Sequence, residues 1–235
     1  MDMTFDWSVI VKNWQYVLIE GMGFTLSVAA LVLIGSMFFG SILAAMRLSP
    51  NRALATCSWC YVSFARLIPP VLLLFWAFFF FPYVAGWVSG SPNPIKVSAF
   101  TAVVGALIFS ESAYFCEIIR SGISGIPQGQ IDAARSLGLT KWQALRHVVL
   151  PQSIRNSLPM LLTESLMVFQ VTSISMIVSA VDFFGAANQI AQRDYKLVEM
   201  YVFVAVVYVV IGFSLSMLIK QFERNTNHRS QRYLQ

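Results

Sequence analysis

The sequence predicts an all-α integral membrane protein with about five transmembrane helices. Three observations carry this. Of 235 residues, 57% are hydrophobic and 11% charged, whereas a soluble domain usually carries about 25% charged residues. The apolar residues gather in runs long enough to cross a bilayer. The basic residues then segregate to one side of those runs.

A helix rises ~1.5 Å per residue, so ~20 residues cross a ~30 Å hydrocarbon core. The first charge-free run, Phe24–Met46, holds 23 residues and predicts a span near 22–46. Trp7, Trp14 and Tyr16 precede it on a short amphipathic approach of the kind that sits at a membrane interface. Met1–Trp7 carries Asp2 and Asp6 and no basic residue, so it lacks the positive start of a cleavable signal and is expected to be retained. Gly35 and Gly40 lie in this first run, where glycine allows close helix contact.

Residues 47–66 form a connection. Leu67–Ile95 is 29 residues without a charge, enough for a span near 69–88 plus the turn chemistry of Ser89–Pro94. Pro69-Pro70 starts or kinks that span, and Pro82 closes or bends its far end. The third span, near 97–117, contains Glu111 and exits through Glu117 and Arg120, spaced to pair on one helix face. The fourth, near 156–181, is the most polar, with Thr163, Glu164, Gln170, Thr172, Ser173 and Ser175. The fifth, near 198–219, is apolar and leads into a basic tail.

With the N-terminus outside, twelve basic residues fall on the inner side: Arg47, Arg52, Arg66, Arg120, Arg135, Lys141, Arg146, Arg155, Lys220, Arg224, Arg229 and Arg232. Four fall outside: Lys12, Lys96, Arg193 and Lys196. The positive-inside rule therefore predicts an outside N-terminus and a cytoplasmic C-terminus. This segregation also accounts for the net charge of +5 without nucleic acid. Cys57 and Cys60 form a C-x-x-C, but neither a redox context nor further ligands accompany them, so no metal site is expected. Cys116 reads as packing.

Residues 121–155, cytoplasmic on this topology, are too long for a simple connector. Gln128–Leu137 reads as helix with Ile131, Ala134 and Leu137 on one face. Gly138 sits where a helix end takes a left-handed residue. Thr140 and Gln143 then have the spacing of a capping box that opens a second short helix. Trp142, Leu145 and Val149 form its apolar stripe, and Pro151 is expected to stop it. Such a stripe needs a partner surface: another part of the chain, lipid headgroups or a separate protein.

Asp132-Ala133-Ala134, three residues, Gly138, nine residues, Val148, one residue and Leu150-Pro151 resemble the EAA motif of ABC importer permeases. Asp132 stands for the usual Glu and Val148 for the usual Ile. Phe64–Pro69 resembles the entry to the second span in polar amino acid permeases, with Ala65 inserted between Phe and Arg. Ala113–Gly122 looks like that family's third-span exit. Asp182-Phe183-Phe184, Arg193-Asp194 and Val198-Glu199-Met200 look most like its glutamate/aspartate importers.

The resemblance implies a type I ABC importer permease fold in a bacterial plasma (inner) membrane, in which loop 121–155 carries a coupling helix. It implies two ATP-binding subunits, a second permease subunit, identical or different, and an extracytoplasmic amino-acid-binding protein. ATP and Mg would belong to the ATPase, and this chain holds no G-x-x-x-x-G-K-[ST] run. Trp142 and Leu145 would anchor the loop on the ATPase. A permease subunit is not itself an enzyme.

Glu111 and Glu164 lie within spans, where carboxylates are costly and face a bundle interior or a pathway. Each either hydrogen-bonds a neighbouring helix or lines a substrate cavity. Gln170, Thr172 and Ser173 resemble a Gln-Asp-Thr-Ser segment that borders the pathway in related permeases. Val171 replaces its Asp and disfavours a cationic cargo. An acidic cargo needs a cation, for which Arg66, Arg120 and Arg193 are available beside their interfacial roles. Cargo of another amino acid or small polar solute stays open. A membrane-embedded enzyme or assembly factor would need a convergent site that two histidines, His147 and His228, do not supply. A secondary transporter would show inverted repeats.

Overall fold

A computed structural model describes the backbone of residues 5–231 and side chains through Gln221. Asp2 and Arg232, and the side chains of Arg224, His228 and Arg229, lie outside the described residues. The described chain is helical throughout. Five helices are long and apolar enough to cross a membrane: α1 (Trp7–Arg47), α3 (Pro70–Val88), α4 (Ala99–Ser124), α6 (Lys141–Val178) and α8, whose span is Leu197–Gln221. Between them lie α2 (Arg52–Leu67), α5 (Gln128–Ser136) and α7 (Phe183–Arg193).

Several boundaries differ from the sequence expectation, and for physical reasons. α1 begins at Trp7 rather than near 22, because Asp6 caps it by accepting the Ser8 N–H at 3.0 Å. The chain passes into the span through a wide π-turn at Tyr16–Gly21. Residues 47–66 are not a plain connection, since most of them form α2.

Neither Pro82 nor Pro151 ends its helix. Each follows a π-turn, at Trp76–Phe80 and Leu145–Val149 respectively. In the first the Phe81 N–H donates to the Trp76 carbonyl, and in the second the Leu150 N–H donates to the Leu145 carbonyl. Proline has no N–H, and its ring collides with the carbonyl four residues back. Widening the preceding turn withdraws that carbonyl, so the helix runs on.

The chain packs as two compact units. One is drawn from within Met1–Ile34, Ile68–Ser110 and Leu166–Leu215. Its core joins Val17 of α1, Phe183, Ala186, Ala187 and Ile190 of α7, and Met200 and Val204 of α8. α7 was not expected from sequence, although Asp182 is a cap residue and the buried residues recur at helical spacing. Asp182 is fully buried and accepts from the Gly185 N–H at 3.0 Å and the Phe184 N–H at 3.3 Å. The Phe183 N–H donates to the Thr25 hydroxyl at 3.0 Å, tying α7 to α1. Lys196 bridges Asp6 at 3.3 Å and Glu199 at 3.7 Å.

The other unit is drawn from within Gly35–Leu67, Glu111–Ser165 and Ser216–Gln235. Here α1 meets α4 at Gly40, where a Cβ would fall 2.7 Å from that of Phe115 and 3.0 Å from the Cys116 nitrogen. Only glycine permits that approach. α4 and α6 touch where Gly122 meets Ser157, whose hydroxyl donates to the Ile118 carbonyl at 3.4 Å. The Ser58 hydroxyl of α2 donates to the Leu43 carbonyl at 2.8 Å.

Burial raises Asp182 from 3.8 to about 6, outweighing the backbone N–H bonds that pull it down. The folded chain therefore binds this proton more tightly than the unfolded chain. The residue favours folding below about pH 4, and that contribution is lost as pH rises through about 6. Asp182→Asn keeps a capping oxygen and should stabilise the protein at pH 7.5, by on the order of 3 kcal/mol, with little effect at pH 4. Thermal unfolding in detergent across that range checks this, and an equal shift at both ends would refute it.

Candidate functional site

Loop 121–155 is built from its own backbone bonds. α5 ends with the Gly138 N–H donating to the Arg135 carbonyl at 2.9 Å and the Leu139 N–H to the Ala134 carbonyl at 3.2 Å. That is a Schellman arrangement. Its left-handed residue is Gly138, at φ +77°. Two residues on, the Thr140 N–H donates to Gln143 Oε1 at 2.9 Å and the Gln143 N–H to the Thr140 hydroxyl at 3.3 Å. This reciprocal capping box opens α6.

The side chains divide into those that hold the loop and those that face outward. Asp132 accepts from Gln128 Nε2 at 3.1 Å and lies 3.5 Å from Arg135 Nη1, so it ties its own helix. Ala134 is buried and Ala133 exposed. The expected stripe of Trp142, Leu145 and Val149 is split by the π-turn: Val149 is buried, Leu145 half-buried, and Trp142 64% exposed. Val148 is half-buried and Leu150 partly exposed. Leu137, beside Gly138, is 81% exposed. Leu137 and Trp142 therefore stand on either side of the turn as large apolar groups with little cover.

The intramembrane residues fall into both units. Thr172 is buried, and its hydroxyl donates to the Phe169 carbonyl at 2.8 Å, so that hydroxyl serves its own helix. Gln170 is exposed and Ser173 half-buried in the same unit. Glu111 and Glu164 belong to the other unit. Glu111 is 5% exposed, and the side chain of Glu164 hydrogen-bonds it, joining α4 to α6. Glu164 has a second aspect, since it also lines a cavity of about 580 Å³.

That cavity brings together Arg66, Tyr114, Glu117, Ser121, Thr163 and Glu164. The Arg66 guanidinium lies 5.1 Å over the Tyr114 ring, a cation–π contact. Glu117 accepts from Arg120 Nη2 at 2.7 Å and Nε at 3.0 Å, with Arg47 Nη2 at 3.9 Å on its other oxygen. Sequence reasoning gave Arg66 an interfacial role and named it, with Arg120 and Arg193, as a candidate cation for an acidic cargo, and gave Tyr114 no role. A lone tyrosine in an apolar run carries no signal, because its partner comes from another helix.

Five helices able to cross a membrane, a polar cavity lined by α2, α4 and α6, and a folded loop with an exposed apolar tip define a membrane-spanning transport component. The chain belongs to the family described as binding-protein-dependent transport system inner membrane component, whose model matches residues 36–228.

Among curated relatives, the glutamate/aspartate import permease protein GltK of Escherichia coli O6:H1 is 38% identical over 222 residues, 94% of this chain and 98% of that protein. The probable glutamine ABC transporter permease protein GlnM of Bacillus subtilis is 32% identical, covering 92% of this chain and 96% of that protein. The crystal structure of an amino acid ABC transporter with histidines matches with a TM-score of 0.83 and 32% identity, over 95% of this chain and all of that one. The MetNI methionine ABC transporter in an inward-facing form shares the fold, with a TM-score of 0.69 at 19% identity.

Removing the cap should loosen the loop alone. Thr140→Ala costs a helix of this kind about 1 kcal/mol, so amides 141–144 should exchange hydrogen roughly fivefold faster. Mass-spectrometric exchange would detect this, and unchanged protection would show that the box does not hold the helix.

Proposed function

We infer that the chain is the pathway-forming subunit of an ATP-driven importer of polar amino acids, with acidic amino acids, glutamate and aspartate, as the cargo. It works with two ATP-binding subunits, a second permease subunit and an extracytoplasmic binding protein. It sits in a bacterial inner membrane with its N-terminus outside and loop 121–155 in the cytoplasm. The observation that carries this reading is the loop itself. A capped helix, braced by Gly138 and exposing Trp142 and Leu137, leads without a break into a membrane span.

The mechanism follows from that continuity. ATP-driven closure of the motor moves whatever is docked on Trp142, Leu145 and the Asp132–Gly138 turn. Because Pro151 sits behind a π-turn instead of ending the helix, the displacement reaches the wall that carries Glu164. Glu164 offers carboxyl oxygens to a cargo ammonium, backed by Glu111. Gln170 and Ser173 supply further polar contacts along the pathway, and Thr172 stiffens it.

Acidic cargo is supported by the likeness to a glutamate/aspartate permease and by Val171 where related permeases carry an Asp. The glutamine permease among the relatives keeps an amide cargo as the alternative outcome.

Trp142→Asp should abolish co-purification of the ATP-binding subunit while leaving the membrane chain intact, because a buried anchor becomes a desolvated charge. A variant that retains the ATPase in full would refute docking at this helix. Labelling of cysteines introduced at 121–155 from the external face would refute the orientation.

A further inference from the structure

Three arginines were available by sequence to meet an acidic group, and two of them are already occupied. Arg120 places Nε and Nη2 on Glu117. Arg193 places Nε and Nη2 on Asp194, at 2.8 and 3.0 Å, and reaches Asn13. Arg66 differs. Among the described residues no carboxylate lies within ion-pair distance of it, and its five N–H donors are unspent. It borders the 580 Å³ cavity, with its guanidinium carbon 5.1 Å over the Tyr114 ring. Arg66 is exposed, so its guanidinium is open to a ligand entering the cavity.

We propose that Arg66 takes a carboxylate of the cargo in this cavity, and that the Tyr114 ring positions it. This rests on the amino acid importer reading and adds the residue that reads the anionic group. The chemistry selects a carboxylate for three reasons. The planar guanidinium fork matches a carboxylate with two parallel hydrogen bonds. The cation–π contact with Tyr114 holds the guanidinium at the cavity without using its N–H donors. Glu164 and the Thr163 and Ser121 hydroxyls line the same cavity and suit an ammonium, so an α-amino acid finds both of its charges answered. A lipid phosphate would meet Glu117 and Glu164 with like charge and find no use for them.

The test uses the complete complex, purified and placed in lipid nanodiscs. Three probes are compared: L-glutamate, its side-chain amide glutamine and its α-amide isoglutamine. Arg66→Gln should weaken glutamate binding about tenfold or more. One of the two amides should lose affinity in the wild type and lose nothing further in the variant, which identifies the carboxylate that Arg66 holds. Tyr114→Leu should weaken binding about threefold, and Tyr114→Phe, which keeps the ring, should restore it.

Arg66→Lys keeps the charge without the fork and should fall between the wild type and Arg66→Gln. It stands in should Arg66→Gln fail to assemble. Binding should be the same in phosphatidylcholine alone and with phosphatidylglycerol added. The inference is overturned by Arg66→Gln binding within twofold of wild type, by an equal loss for all three probes, or by an Arg66 effect that needs the anionic lipid. Wild-type complex that binds none of the probes sinks the importer reading, and this inference with it.

Discussion

Hydrocarbon supplies no partner for a backbone N–H or carbonyl, and the rest of this structure follows from that constraint. Pro82, in the second span, would break its helix where no solvent can satisfy the ends; Pro151, in the loop, and Pro159 also lie inside a helix. Ahead of Pro82 and Pro151 the helix widens by one residue and continues, and Pro159 lies inside α6 without such a turn. The cost is a locally poorer set of bonds in the turns at Trp76–Phe80 and Leu145–Val149. The gain is continuity between parts of the chain that would otherwise be hinged. The same constraint explains why the Thr172, Ser175 and Ser214 hydroxyls donate to carbonyls of their own helices rather than waiting for a partner.

Several charged groups near the membrane are kept in company. Glu117 holds two arginines, and Lys196 holds two carboxylates. Glu111 and Glu164 keep each other. Arg66 departs from this pattern by resting on an aromatic face. A cation held this way has its position fixed while its bonding capacity stays in reserve, which suits a group that meets a visiting molecule and then lets it go.

Much of this was legible in the chain. Five spans could be counted because apolar runs of about 20 residues with no charge, or with a single interior carboxylate, read as membrane crossings. Gly138 and the Thr140–Gln143 pair announced their turn and cap, because those bonds are local in sequence. What escaped notice depended on distant partners or on competition between rules. α7 was hidden because its small residues, Ala186, Ala187 and Ala191, look weakly apolar until α1 and α8 enclose them. Pro151 was taken as a stop because a proline inside a helix usually ends it, and the π-turn that accommodates it leaves no signal in the sequence. Tyr114 meant nothing until α2 set a guanidinium over it.

From Trp142 to Glu164 the helix runs 22 residues, about 33 Å at ~1.5 Å per residue. The exposed tip of the loop and the acidic wall of the cavity are thus opposite ends of one stiff rod. On the proposed function, a stroke delivered at the tip is carried by that helix to the wall of the chamber, without a relay of side chains between them.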